Sequence, residues 1–493
     1  MSDESKNESM EASKKPNLKV NYIYRLFYDV LAVIAPFITT PYVSRVLGAD
    51  NIGIYSAVTA FITYFTLCAT LGTMSYGTRE ISRQRDNVSL ASKTFFEIEL
   101  MSVLTSLICI VGWCMVIAFS KDYRYYYLAS LPLLFGCMFD ISWFFMGFEK
   151  VKFLVVRNSF CKLASIVLLF FLVKTRDDLL IYILINSMVQ LIGNLSMWTY
   201  LPKMLVHVNF KTLQLKEHFK ETIVYFIPTI ATSIYTVLDK SLIKLITNDD
   251  FQNGYYEQTT KIINIVKNLV FTSVNAVIGA RISYLFKQNK ADEIKDKINK
   301  SLDFIMLIGF AAVFGIIGIA RNFVPLFFGN GYDPVVTLLY VMSPIVLIVG
   351  ISNCLGSQYY TPSGRRTQST KYLIAGSIVN LFMNMLLIPI QGAIGATVGS
   401  IVAELVITIL YVRNCDGYLT FFTIISICWR KLIAGICMCF GVFLLGTLQN
   451  LNPILVVALQ ILCGGIVYTG LLLVMHDSMM LFLLSCIKKK LQK

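Results

Sequence analysis

The sequence predicts an all-α polytopic membrane protein. It has about fourteen transmembrane helices, in two pseudo-symmetric six-helix lobes plus two C-terminal helices. Three observations carry this expectation. Apolar residues make up 56% of the 493 residues and mean hydropathy is +0.66, beyond what a soluble chain of this length sustains. Fourteen apolar stretches recur at near-regular spacing, most of them close to the ~20 residues that cross a hydrocarbon core. Lysines and arginines gather in alternate connecting segments, the bias that sets orientation in a bilayer.

The first six predicted spans are 24–46, 53–78, 95–119, 125–147, 158–174 and 179–200. The second six are 223–246, 257–280, 301–320, 335–356, 372–389 and 393–412. Two more, 431–449 and 453–475, follow them. Residues 1–20 are too charged for the apolar core of a signal peptide, so the first span is expected to be retained. The organisation is then a cytoplasmic tail (1–20), an N-lobe (21–200), a cytoplasmic linker (201–222) and a C-lobe (223–412). Helices 13 and 14 (413–476) and a basic cytoplasmic tail (477–493) complete it.

Orientation follows from the basic residues. Inner segments hold Lys14, Lys15, Arg83, Arg85, Lys150, Lys152, Lys295, Lys297, Arg365 and Arg366, while outer loops hold few, such as Lys121 and Arg321. Both termini are therefore expected in the cytoplasm. The net charge of +14 is a topology signal scattered over many segments, which argues against a nucleic-acid partner. The 12 cysteines show no metal-ligand spacing, so neither a metal site, a disulfide nor a cofactor is expected. With three histidines and no long loop, an enzyme active site outside the bilayer has no place to form.

An internal echo supports two lobes. Gly53-Ile54-Tyr55 opens the second span and Gly254-Tyr255-Tyr256 the eighth, while Arg79 closes the second and Arg281 the eighth. Transporters built this way hold their substrate near the midplane at the lobe interface. An ionisable group at that depth costs roughly 2.5–3.5 kcal/mol on insertion scales, so each needs a partner or a watery cavity. Span 8 is the most polar. Lys261, Asn264, Asn268, Thr272 and Asn275 form one stripe at three- and four-residue spacing, flanked by Lys267. Interhelical glue and a cationic cavity wall both fit such a stripe. Cations with no acid beyond Glu257 on that helix favour the wall and an anionic ligand. In span 1, Arg25 and Asp29 share a face. Asp239 follows Leu238 beside Lys240, Asp140 lies in span 4 and Glu404 in span 12. Gly392, Gly395 and Gly399 read as packing positions.

The run Thr40-Pro41-Tyr42-Val43-Ser44-Arg45-Val46-Leu47-Gly48-Ala49-Asp50-Asn51-Ile52-Gly53-Ile54-Tyr55 resembles the first-span signature of bacterial polysaccharide repeat-unit flippases. These belong to the multidrug/oligosaccharidyl-lipid/polysaccharide exporter superfamily. Tyr76-Gly77-Thr78-Arg79-Glu80-Ile81 is similar to the same family, as are Asp140 to Lys150 and Arg157-Asn158. So are Phe226-Ile227-Pro228-Thr229-Ile230 with Leu238-Asp239-Lys240, and Gly376 to Asn384 with Pro389 and Gly395-Ala396. The resemblance implies a two-lobe bundle in a bacterial plasma membrane. It also implies transfer of undecaprenyl-diphosphate-linked oligosaccharide from the inner to the outer leaflet.

A diphosphate needs a cationic path through hydrocarbon, and sugar hydroxyls need asparagine, tyrosine and threonine. The residues expected to meet such a cargo are Arg25, Arg45, Arg79, Lys240, Lys261, Asn264, Lys267, Asn268 and Arg281. The acids expected to couple an ion are Glu404, Asp140, Asp29 and Asp239. Glu404 ranks first because no basic residue lies within a turn of it on its own helix, and Asp239 is expected to pair with neighbouring cations. Besides the bilayer, a polysaccharide polymerase and a chain-length regulator are candidate partners. Two alternatives are a drug or organic-ion exporter, which would want acidic, aromatic walls, and a membrane saccharide polymerase or ligase, which would want a larger outer loop.

Overall fold

The computed structural model describes residues 18–288, 290–448 and 451–491, and it is helical, with no strand among them. Side chains are described outside 18–26, 29, 203, 227–229, 231–236, 272–273, 275–280, 487 and 489–491. The chain forms two compact units, Met1–Val237 and Leu238–Lys493.

The first unit begins with Leu18–Thr70 (α1) and Thr73–Gln84 (α2), which hold the first two predicted spans. The expected loop between those spans is only a kink at Gly48 (φ 82°, ψ 168°). That conformation excludes side chains at little cost only for glycine. The kink is pinned from the side. Arg176 binds the Asp50 carboxylate at 2.5 Å, Asn51 donates to the Arg176 carbonyl, and the Tyr42 hydroxyl donates to the Val173 carbonyl.

Val88–Phe119 (α3) matches its expected span, but the predicted helix 125–147 is three pieces: Arg124–Ser130 (α4), Pro132–Met138 (α5) and Ser142–Gly147 (α6). Pro132 opens one piece, where its missing N–H costs nothing. Asp140 accepts the Ser142 N–H at 3.0 Å just ahead of the next. Val151–Leu172 (α7) and Leu179–Met197 (α8) pack as a pair. Phe95, Trp143, Phe144 and Phe145 fill an aromatic core between α3 and α6, and Gly77 on α2 lets the Trp143 ring lie directly against its backbone.

Leu215–Thr247 (α9) starts inside the expected linker, shortening it. The linker is tied to α3 by Val206 N–H to the Ser92 hydroxyl and Gln214 N–H to the Glu97 carboxylate. Asp250–Lys287 (α10) and Ala291–Phe328 (α11) follow. Asp333–Met342 (α12) and Ile345–Leu355 (α13) are bent by 42° at Ser343-Pro344. Arg366–Gln391 (α14) and Ala393–Arg413 (α15) form a tight pair. Phe421–Leu445 (α16), Pro453–Val474 (α17) and Ser478–Leu491 (α18) complete the unit.

Among the described residues, ten segments are long and apolar enough to cross a membrane, or eleven with the bent pair α12–α13. The protein is thus a multi-pass membrane protein. The fourteen predicted stretches all fall on helix, but the first two merge into one segment, Val30–Gln84. Those on α9 and α10 fall outside the set; α10 carries Glu257, Lys261 and Lys267.

Lys431 joins α16 to the rest of the second unit. Its ammonium is 1% exposed and contacts Asp303 of α11 at 2.5 Å and Asp477 at 2.8 Å. Removing one partner from such a cluster strands buried charge, whereas replacing all members is often nearly neutral. Lys431→Met is therefore expected to destabilise the purified protein by about 3–5 kcal/mol, read as a fall in melting temperature. The triple change Asp303→Asn, Lys431→Met, Asp477→Asn should recover most of that loss.

Candidate functional site

The polar residues of α9 and α10 come together in two ways. Glu257 reaches Lys240 at 2.6 Å and Lys261 at 3.5 Å, one turn along its own helix. The expected pairing of Asp239 with neighbouring cations thus gives way, for Lys240, to one with Glu257, the acid that precedes the polar stripe. One carboxylate bridges both lysines, because helical spacing places Glu257 over Lys261 while α9 brings Lys240 across. Lys244 pairs likewise with Asp250 at 2.9 Å.

Beyond Glu257, α10 presents Asn264 and Asn268 on one exposed face, with half-buried Lys261 and Lys267 beside them. The rest of the stripe, Thr272 and Asn275, has side chains outside the described ones. Lys267 lies within electrostatic reach of half-buried Glu404. The isolation expected for Glu404 along its own helix is thus lost in space, since α10 supplies the base.

Asp239 corrects the sequence expectation most sharply. It is buried, yet its hydrogen-bond partners among the described residues are neutral donors rather than cations. Asn384 donates to it at 2.6 Å and Asn380 at 3.2 Å, both from α14. The hydroxyls of Tyr256 on α10 and Ser400 on α15 also donate to it. Several such donors satisfy the oxygens of a buried carboxyl group. Asn380 and Asn384, four residues apart, fall on one face of α14 by helical spacing. Gly399 leaves room for Asn384: a Cβ there would sit 2.6 Å from its Oδ1.

The other expected residues are dispersed. Arg25 and Asp29 have side chains outside the described ones. Arg45 is exposed. Arg79 binds Glu80 at 2.9 Å and Tyr225 through its hydroxyl and ring face. It lies next to a chain in which the Tyr76 hydroxyl meets His218 Nδ1 and His218 Nε2 meets Glu97. Arg281 stacks on Tyr284, one turn ahead. Asp140 binds Ser142 through both its N–H and its hydroxyl.

Three features escaped sequence reasoning. Arg157, marked in the sequence by its basic charge ahead of span 158–174 and by the family resemblance but not as a site residue, is half-buried on α7. Its guanidinium donates to Asn158 at 2.7 and 3.0 Å and to Asn194 at 2.8 Å. Thr59, Thr63, Thr66 and Thr70 line a hollow of 440 Å³ with Asn186 and Gln190. Their three- and four-residue spacing was the available signal. Glu99 on α3 is buried, with neither carboxyl oxygen hydrogen-bonded among the described residues.

Hydrogen bonds to a charged group contribute about 1.5–3 kcal/mol each. Asn384→Leu is expected to lower stability by about that amount, with Asn384→Asp worse still because it sets a second carboxylate beside Asp239. Thermal unfolding of the detergent-solubilised variants measures both.

The sequence model of the family described as "Polysaccharide biosynthesis protein" matches residues 18–283. A protein of Escherichia coli named "Putative O-antigen transporter" is 24% identical over 414 residues, covering 82% of this chain and 98% of its own. Among solved structures, the lipid II flippase MurJ in an inward closed conformation aligns with a TM-score of 0.70 at 16% identity, over 92% of this chain and 97% of its own. An inward-facing multidrug resistance MATE family transporter aligns with a TM-score of 0.56 at 10% identity, over 89% and 98%. At these identities the two structures are likenesses of fold.

Proposed function

The chain belongs to the polysaccharide biosynthesis protein family, and from that premise we propose that it is a flippase for lipid-linked oligosaccharide. It moves undecaprenyl-diphosphate-linked repeat units from the inner to the outer leaflet of a bacterial plasma membrane, with both termini cytoplasmic. The units feed capsule, exopolysaccharide or O-antigen assembly. The protein works by alternating access of a basic cavity and catalyses no covalent step.

The observation that carries this reading is the face of α10. Asn264 and Asn268 are exposed midway along a helix of a highly apolar protein, with Lys267 beside them. Such a face belongs against water or a polar cargo, not lipid. Lys267 is the cation to bet on, since Lys240 and Lys261 share Glu257. In cells lacking their own flippase, Lys267→Ala is expected to cut surface polysaccharide about tenfold or more at unchanged membrane level. Lys267→Arg should keep part of the activity. Undiminished export by the alanine variant would remove Lys267 from the path.

The coupling acid in this reading is Asp239, ahead of Glu404, Asp140 and Asp29. Its hydrogen-bond partners among the described residues are neutral, so gain of a proton or a cation changes the net charge there and redirects donors from α10, α14 and α15. Glu404 faces Lys267, and Asp140 caps a helix start. Export by Asp239→Asn cells is expected to stop responding to removal of the ion gradient while wild-type export falls. If both respond alike, the coupling lies elsewhere.

A further inference from the structure

Three hollows of the first unit adjoin one another and share wall residues. The first is a groove of 590 Å³ between α7 and α8. Its walls are apolar, from Val156, Phe160, Leu168 and Ile192, and Arg157 also lines it. The second, of 320 Å³, shares Arg157, Cys161 and Gly193 with the groove but is polar, adding Asn158, Lys162 and Gln190. The third is the threonine hollow, which shares Asp140, Asn186 and Gln190 with the second. Shared walls set the three side by side along one track, apolar at one end, polar with Arg157 and Lys162 in the middle and hydroxyl-lined at the other.

The hydrogen bonds specify what each section wants. Arg157 donates to the neutral amide oxygens of Asn158 and Asn194, and it forms no ion pair with a carboxylate among the described residues. Asn194 is held with its oxygen towards Arg157 because its amide N–H donates to the Gly136 carbonyl at 2.7 Å. The guanidinium is thus fixed in place by neutral partners, with Asp140 lining the same hollow but no described carboxylate paired with it, and a cation so held in a membrane helix suits an anion. Gly193 lets α8 pack closely on α7 beside Arg157, since a Cβ there would lie 2.4 Å from Cys161 Sγ. In the third hollow every threonine hydroxyl donates to its own helix: Thr59 to Tyr55, Thr63 to Thr59, Thr66 to Thr63 and Thr70 to Thr66. The Asn186 amide N–H donates to the Tyr182 carbonyl. What these groups leave over is acceptor oxygen, and Asp140 adds more. Their partner must bring hydroxyl donors.

We propose that this track is a binding site for the cargo lipid within the first unit. The polyprenyl tail lies in the α7–α8 groove, the phosphate groups at Arg157 beside Lys162, and the first sugars along the threonine stripe. The inference rests on the flippase reading and deepens it by assigning the tail, anion and sugar to separate residues.

The test uses the full chain in nanodiscs with undecaprenyl diphosphate, undecaprenol and phosphatidylglycerol as probes. A photoreactive phenylalanine at Leu168 is expected to capture undecaprenyl diphosphate in preference to the other two. Arg157→Met should weaken that capture about tenfold, with Arg157→Lys intermediate. Ile192→Trp, which fills the groove without touching the cation, should weaken it as well, in protein that elutes as a single folded species. Equal capture of phosphatidylglycerol, or unchanged capture after Arg157→Met, overturns the site. Export separates the two readings. If Lys267→Ala abolishes export while Arg157→Met and Ile192→Trp export normally, the flippase reading stands and this track falls. If the wild-type chain neither restores export nor captures the diphosphate, both fall.

Discussion

A charge placed in hydrocarbon must be answered by something, and the architecture of this protein follows from how each one is answered. Three kinds of answer occur. Lys431 with Asp303 and Asp477, and Lys244 with Asp250, are met by opposite charge. Asp239 is met by neutral donors, and Arg157 by neutral acceptors. The first kind sets opposite charges in direct contact and holds helices in register. The second and third leave net charge inside the molecule, held in position by dipoles. Groups of that sort respond to an arriving ion, which is why the functional reading settles on Asp239, Arg157 and the Lys267–Glu404 pair rather than on the densest salt bridges.

The helices are interrupted where the backbone needs help from a side chain. The break at Gly48 is gripped by Arg176 and Asn51. The break before α6 is capped by Asp140, which also borders two of the hollows. Irregular backbone inside a membrane protein survives where it is buried in protein or lines a cavity, and the second of these breaks meets that condition directly.

Much of the fold was legible because hydropathy and basic-residue bias report the cost of burial one residue at a time. Each predicted stretch lies on helix, and the small-residue role read for Gly395 and Gly399 is met by the Leu387 backbone and by Asn384. Segment edges were less legible. Nothing in composition says that a loop reduces to a kink, or that one span breaks into three helices, because hydrogen-bond geometry decides that. The site was least legible of all. Adjacency along the chain suggested that Asp239 met Lys240 and that Glu404 stood alone. In the fold Lys240 turns to Glu257, and Lys267 comes to Glu404 from another helix. Neutral partners such as Asn194 leave no charge pattern to read, so Arg157 passed as a topology marker.

The cluster around Lys431 also bears on how the chain is made. Asp303 leaves the ribosome well before its lysine does. At ~5–20 residues per second, the roughly 130 residues between them take on the order of 10 s. Throughout that interval the carboxyl group lacks the ammonium it contacts in the folded unit. Its final seating comes only when α16 delivers Lys431 and the chain beyond α17 delivers Asp477. A chain stalled before those helices therefore leaves α11 without the contacts that seat it.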